Sequence, residues 1–317
     1  MQGKIPVTIV TGFLGAGKTT LLNHLIGELS EERIALIINE LGSVGIDQRL
    51  LPKIKDGVVR LTKGCICCAA RNATEASLKE VARLSQEGTD PISRLVIETT
   101  GAASPASILQ MLRKNRDLFL AYEPDAVICV VDAVNYNQTF QESLEAKEQV
   151  ALADVVVVSK SDLVNEGQIK ELEEVVYGLN PQANIIFGQR GNAPINRLVG
   201  LYSFLDARVP EVEHHSHSHD VQINAVVLET MRKISREELD IWLHEQVLPL
   251  GASLLRCKGI VDIGGGKRLI VQGVRLSLEI TERDEYVDEP SGTSLVVIGL
   301  SLDEVALKQS FSRINKT

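Results

Sequence analysis

Apolar residues recur along this chain with two periods, and the first half of the sequence alternates between them. "PVTIVTG" (residues 6–12) is a short β-branched run ending in glycine. "KTTLLNHLIGELS" follows with helical spacing and sets Leu21, Leu22, Leu25, Ile26 and Leu29 on one side. "IALIINE", "RLVIETTG", "DAVICVVDA" and "ADVVVVSKSD" are nearly continuous apolar runs, the pattern of strands covered on both faces. Helical spacing fills residues 73–84, 105–112, 144–151 and 168–177. Strand and helix in alternation predict an α/β fold, a doubly wound and mainly parallel sheet with helices on both faces. "VGIDQRLLPKIKDGVVRLTKG" breaks the alternation and reads as a hairpin-like insert that delivers a cysteine cluster.

The pattern changes at residues 206–220, "DARVPEVEHHSHSHD", which carry no apolar period and read as a linker. Beyond it come a strand at 221–228, a helix at 236–246 with Ser235 as N-cap, and further strands in "LLRCKGIVDI", "KRLIVQGVRLSLEI" and "TSLVVIGL". A last helix is predicted at 302–314. The expected organisation is a first domain at 1–205, a His-rich linker at 206–220 and a smaller C-terminal α+β domain at 221–317.

Composition narrows the function classes. The chain has 317 residues, 44% hydrophobic and 24% charged, which suits globular domains with real cores. A net charge of −9 with no long basic run disfavours a nucleic-acid partner. No leader-like segment opens the chain, and no apolar run nears the roughly 20 residues of a membrane span. A cytoplasmic protein without a membrane partner is expected. Five cysteines, an odd number in so long a chain, argue for reduced thiols over a disulfide framework.

The chemistry concentrates after the strand ends. "GFLGAGKTT" fits G-x-x-x-x-G-K-[ST] at Gly12, Gly17, Lys18 and Thr19, between a predicted strand and a predicted helix. Gly15, Ala16 and Thr20 belong to the same loop. Glycines let backbone N–H groups approach phosphate closely, and the helix N-terminus adds partial positive charge. Lys18 is expected on the β/γ phosphates and the Thr19 hydroxyl on Mg²⁺. Ser159, Lys160, Ser161 and Asp162 match the guanine-reading pattern [N/S/T]-K-x-D. A carboxylate at Asp162 accepts from the guanine ring N–H and its exocyclic amine together, and the Lys160 stem lies along the base. Adenine presents no such donor pair, so GTP and GDP are the expected nucleotides. Glu98, at the end of "RLVIETTG", is placed to hold Mg²⁺ through water. The Gly101 N–H is placed to sense a γ-phosphate. Lys18, Thr19 and Glu98 form the expected catalytic set. Ala102 and Ala103, not glutamine, follow Gly101. Hydrolysis is therefore expected to be slow until a metal or a partner raises it.

"TGFLGAGKTTLLNHL", "IINELG", "GCICC", "RLVIETTG", "VVDAV", "SKSD", "LLRCKGIV" and "QGV" together resemble the CobW-type family of P-loop GTPases, over nearly the whole chain. The resemblance implies a P-loop GTPase domain and a smaller C-terminal domain. It also implies a role in handling metals such as zinc or cobalt, as a metallochaperone or activator of a client metalloprotein. Asn39 and Glu40 keep the family pattern after the second strand, whereas Ile38 and Ser43 stand where some relatives carry acids.

Cys65, Cys67 and Cys68 offer up to three thiolates to Zn²⁺, with Co²⁺ as the alternative. The fourth ligand stays open between Glu40 and another residue. A redox pair at the Cys65/Cys68 spacing lacks a thioredoxin-like unit around it, and a buried patch of small residues is the plain alternative. Cys129 and Cys257 lie in apolar strands and read as core. His214, His215, His217 and His219, among Glu211, Glu213 and Asp220, read as a weak, flexible metal site or as a solvated linker. His24 and His244 read as structural.

The function read from these residues is a GTP-hydrolysing metallochaperone. The alternatives are a metal buffer or sensor with a regulatory GTPase and no client, and a small-molecule kinase, which "SKSD" disfavours. A homodimer stays open.

Overall fold

The computed structural model describes residues 3–38, 58–62, 68–87, 91–188, 192–202, 223–284 and 291–314. Two compact units emerge, Met1–Glu173 with Asn184–Ser203, and Glu174–Ala183 with Phe204–Thr317. Among the described residues no helix is long and apolar enough to cross a membrane.

The sheet of the first unit is built from β1 (Ile5–Gly12), β2 (Ile34–Ile38), β3 (Val58–Thr62), β4 (Arg94–Glu98), β5 (Tyr122–Asp132), β6 (Val155–Ser159) and β7 (Asn184–Phe187). Its helices are α1 (Lys18–Glu28), α2 (Cys68–Glu87), α3 (Ala106–Lys114), α4 (Arg116–Ala121), α5 (Tyr136–Glu142) and α6 (Leu144–Leu152), and α7 (Glu166–Leu179) precedes β7. The strands pair in parallel in the order β3-β2-β4-β1-β5-β6-β7. Every position of β2 and β4 is buried, as the continuous apolar runs require. Leu21, Leu22 and Leu25 of α1 pack with Val10, Leu36, Val96 and Ile128 of the sheet.

The insert read as hairpin-like, residues 44–64, lies mostly outside the described residues. Its described part, β3, runs parallel to β2 from Ile34↔Val58 to Ile38↔Thr62. A parallel neighbour needs a crossover of about a dozen residues or more, and positions 39–57, outside the described residues, supply that length. The helix predicted at 73–84 also starts earlier, at Cys68, because "CAAR" holds good helix formers and no breaker.

Toward the amino ends of β1, β4 and β5 lies a buried charge. Asp125 is fully buried. It accepts from Arg94 Nη1 at 2.6 Å, Thr8 Oγ1 at 3.2 Å, and the N–H groups of Gly200 and Tyr202, both at 2.8 Å. Four donors on two carboxylate oxygens satisfy the charge where water is absent.

The second unit holds an antiparallel sheet in the order β11-β10-β9-β12-β8. Its strands are β8 (Ile223–Thr230), β9 (Leu254–Gly264), β10 (Lys267–Val274), β11 (Ser277–Asp284) and β12 (Thr293–Leu300). The helices α8 (Arg236–Trp242) and α9 (Glu304–Phe311) complete it. Ser235 caps α8 in a reciprocal box with Glu238, as the sequence predicts for the cap. Trp242 meets Phe311 edge to face at 5.2 Å and donates its indole N–H to Ser310 Oγ at 3.0 Å, joining the two helices.

Candidate functional site

Parallel pairing brings the carboxyl ends of β1, β4, β5 and β6 to one edge of the sheet. Val10 stands opposite Glu98, Gly12 opposite Val130, and Asp132 opposite Ser159. Ligands of doubly wound sheets bind at this edge. The loop from Gly12 to Gly17 leaves β1 here. Gly12 has a φ of 138°, and a Cβ there would meet the Val130 carbonyl oxygen at 2.3 Å, so the loop can press against β5 only as glycine. Gly17 turns the chain into α1, and no side chain caps that helix. The first N–H groups of α1 are thereby kept from side-chain capping and suited to a phosphate.

Lys18 is buried and donates to the carbonyls of Gly12 at 2.9 Å and Phe13 at 3.1 Å, which folds its ammonium over the loop. The Thr19 hydroxyl donates to Glu98 Oε1 at 3.2 Å across the gap between α1 and β4. Hydroxyl and carboxylate oxygen, with no nitrogen or sulfur between them, are the donors Mg²⁺ prefers. Gly15 and Thr20 lie exposed on the loop and on α1, and Ala16 is buried beneath them.

The segment after β6 is bound to the same loop. Ser159 Oγ donates to the Ala16 carbonyl at 2.6 Å, and Lys160 Nζ donates to the Gly15 carbonyl at 3.3 Å. Lys160 has a φ of 55°, a conformation that few non-glycine residues adopt. Its ammonium also pairs with Asp132 Oδ2 at 2.6 Å. Asp162 follows in a short 3₁₀ turn with its side chain exposed. Burial raises the pKa of Asp132, but hydrogen bonds from Lys160, Asn135 and the Val134 N–H outweigh it and hold the carboxyl below the ordinary aspartate range.

The loop after β4 touches the phosphate loop from the other side. A Cβ at Gly101 would meet Leu14 N and Cγ, both at 2.7 Å, so only glycine allows this approach. Gln149 of α6, fully buried, donates Nε2 to the carbonyls of Gly101 at 3.1 Å and Ala103 at 3.0 Å. A cavity of about 210 Å³ lies alongside, with Leu14, Gly15, Asp132, Gln149 and Lys160 in its lining.

The structure thus brings Lys18, Thr19, Glu98, Gly101 and Lys160 together around Gly12–Gly17. Asp132 and Gln149 were missed by the sequence reading. Asp132 had a signal, an acid closing an otherwise apolar strand. Gln149 had one too, an amide three residues after Ala146 on the buried side of α6.

The metal-binding expectations fall elsewhere. Cys65, Cys67, Glu40, His214, His215, His217 and His219 lie outside the described residues. Cys68 opens α2. Among the described residues no group of three or more His, Cys, Asp or Glu could hold a metal. Cys129 and Cys257 are core, and burial pushes both thiols up to about 12. His24 Nε2 lies 2.9 Å from the Ala193 carbonyl, a structural contact.

Comparison with known proteins adds the family. Residues 6–187 match the model "CobW/HypB/UreG, nucleotide-binding domain", and residues 223–315 match "Cobalamin synthesis protein cobW C-terminal domain". The chain is 32% identical over 317 residues to zinc chaperone YjiA of Escherichia coli, covering 98% of this chain and 99% of that one. It is 27% identical over 325 residues to zinc-regulated GTPase metalloprotein activator 1 of Dictyostelium discoideum, covering 87% of this chain and 67% of that one. The crystal structure of Zn(II)-bound YjiA GTPase from E. coli superposes with a TM-score of 0.81 at 28% identity, covering 99% of this chain and all of that one. The chain with the Gly12–Gly17 loop and the antiparallel second unit therefore belongs to the CobW family.

Proposed function

We propose that this chain hydrolyses GTP to GDP and phosphate, and that the cycle governs its hold on a thiophilic divalent metal destined for a client metalloprotein. Zinc is the first candidate and cobalt the second. The observation that carries the nucleotide half is the pair of hydrogen bonds by which Ser159 and Lys160 fasten the guanine-reading segment to Ala16 and Gly15. They support a reading in which Asp162, two residues beyond Lys160, meets the base beside a phosphate cradle. Similarity over nearly its whole length to a zinc chaperone supports the metal half. The cytoplasm, where thiolates stay reduced, suits this role.

In this reading the N–H groups of the loop and of the first turn of α1 hold the phosphates, and Lys18 moves from the Gly12 and Phe13 carbonyls to them. Thr19 and, through water, Glu98 would hold Mg²⁺, which neutralises charge on the phosphates when bound. The Gly101 N–H reads the γ-phosphate. Cys65, Cys67 and Cys68, with Glu40 or another fourth ligand, hold the metal, and the histidines at 214, 215, 217 and 219 form a weaker capture site. Ala102 and Ala103 follow Gly101 in place of a water-orienting glutamine, which supports slow hydrolysis without metal or partner.

The test measures hydrolysis of GTP and ATP, and zinc and cobalt affinity in the GTP and GDP states, for wild type and Cys67→Ala. The reading expects GTP preference, different metal affinity in the two states, and loss of tight binding in the variant. Preference for ATP would overturn the nucleotide assignment. Equal metal affinity in both states would remove the coupling, because a ligand that does not distinguish two states shifts neither.

A further inference from the structure

The loop after β4 is fastened to α6 by three side-chain hydrogen bonds. Two come from the Gln149 amide to the Gly101 and Ala103 carbonyls. The third runs from Ser104 Oγ to Glu148 Oε1 at 2.6 Å. The two carbonyl acceptors fix the Gln149 amide, since the flipped orientation would set its oxygen against both. Among the described residues its own oxygen, which is buried, has no hydrogen-bond partner. An acceptor so placed can take a further donor if the loop rearranges. Room exists for it, because Gln149 lines the cavity of about 210 Å³ beside Leu14, Gly15 and Ala16.

We propose that Gln149 is a positioning residue that holds the loop after β4 in one of two nucleotide-dependent places, and so sets where the Gly101 N–H stands. The inference rests on the GTPase reading. Gln149 acts through the loop. A γ-phosphate that draws the Gly101 N–H moves the adjoining carbonyl with it, so the phosphate and the Gln149 amide compete for one short segment. Such competition biases a two-state element, as a nucleotide switch requires. A structural role alone would weaken GTP and GDP binding alike.

The experiment compares wild type, Gln149→Met and Gln149→Glu in GTP affinity, GDP affinity and single-turnover hydrolysis. Methionine keeps the volume and removes the donor. Glutamate sets oxygen against the carbonyls. The expected result is a GTP-to-GDP affinity ratio shifted about tenfold, equivalent to about 1.4 kcal/mol, and a changed hydrolysis rate, with GDP affinity within about twofold. An unchanged ratio and rate in variants of a wild type that hydrolyses GTP would overturn the proposal alone. A wild type that does not bind GTP would overturn the GTPase reading and this proposal with it. Hydrogen exchange on wild type needs no variant. Residues 99–105 should differ in protection between GTP and GDP, and equal protection would overturn the proposal.

Discussion

The two ends of the parallel sheet place their polar groups in opposite ways. At the amino end, Asp125 is saturated, with four donors on one carboxylate and the Arg94 guanidinium among them. At the carboxyl end the polar groups converge on the Gly12–Gly17 loop. Lys18 bonds to its own loop, Thr19 reaches Glu98 at 3.2 Å, and among the described residues the Gln149 oxygen has no partner. Both ends share strands β1, β4 and β5, so the contrast is not one of fold. It separates a charge satisfied deep within the fold from polar groups gathered where the nucleotide is proposed to bind.

The contrast can be broken first at the amino end. Asp125→Ala takes from the buried Arg94 its 2.6 Å partner, leaving the longer 3.4 Å contact with Glu32, and should cost about 3 kcal/mol of stability by urea unfolding. GTP affinity of the folded fraction should stay within about threefold. A loss below 1 kcal/mol would mean the two ends do not differ as described. Lys18→Ala is the reciprocal change. It should lower GTP hydrolysis by about 10²–10³-fold, while the unfolding midpoint moves little. A large fall in stability would place Lys18 with the structural groups. Asp162→Asn should lower GTP preference over ATP by about tenfold or more, because one of two paired acceptors is lost. Unchanged discrimination would remove Asp162 from base recognition.

The smallest effect concerns Asp132. Its carboxyl titrates below the ordinary aspartate value. A depressed folded-state value contributes stability that is fully present above the unfolded value of 3.8 and is lost as pH falls through the folded one. Wild-type stability should therefore fall more steeply below about pH 4 than that of Asp132→Asn. The difference should be slight, because Lys160 is partly exposed and solvent screens the pair. Parallel curves would show that the ion pair contributes nothing measurable.

What the sequence disclosed, and what it hid, follows from the range of the interactions. The phosphate loop is local: glycine spacing, a preceding strand and a following helix lie within a few turns of chain. The doubly wound sheet was legible for the same reason, since each strand carries its own apolar run. The direction of β3 was hidden, because "VVRLT" pairs as well beside a parallel neighbour as beside an antiparallel one. Gln149 was hidden because its partners lie 48 and 46 positions earlier in the chain. Asp132 meets Lys160 across 28 positions, and only strand register brings them together. The reading of Cys65, Cys67 and Cys68 stands on residue type and spacing.

The strand order also has a consequence for how the chain is made. β1 precedes β4 and β5 in the chain and lies between them, so neither neighbour exists when it emerges. Gly12 needs Val130 against its backbone, and Ser159 must reach Ala16 before the loop is fastened. At about 5–20 residues per second, the interval from Gly12 to Asp132 is about 6–24 s of elongation. Through that time the apolar face of α1 has no completed sheet to cover it. The Gly12–Gly17 loop is thus made early and completed late, since its contacts with Val130 and Ser159 wait until β5 and β6 have emerged.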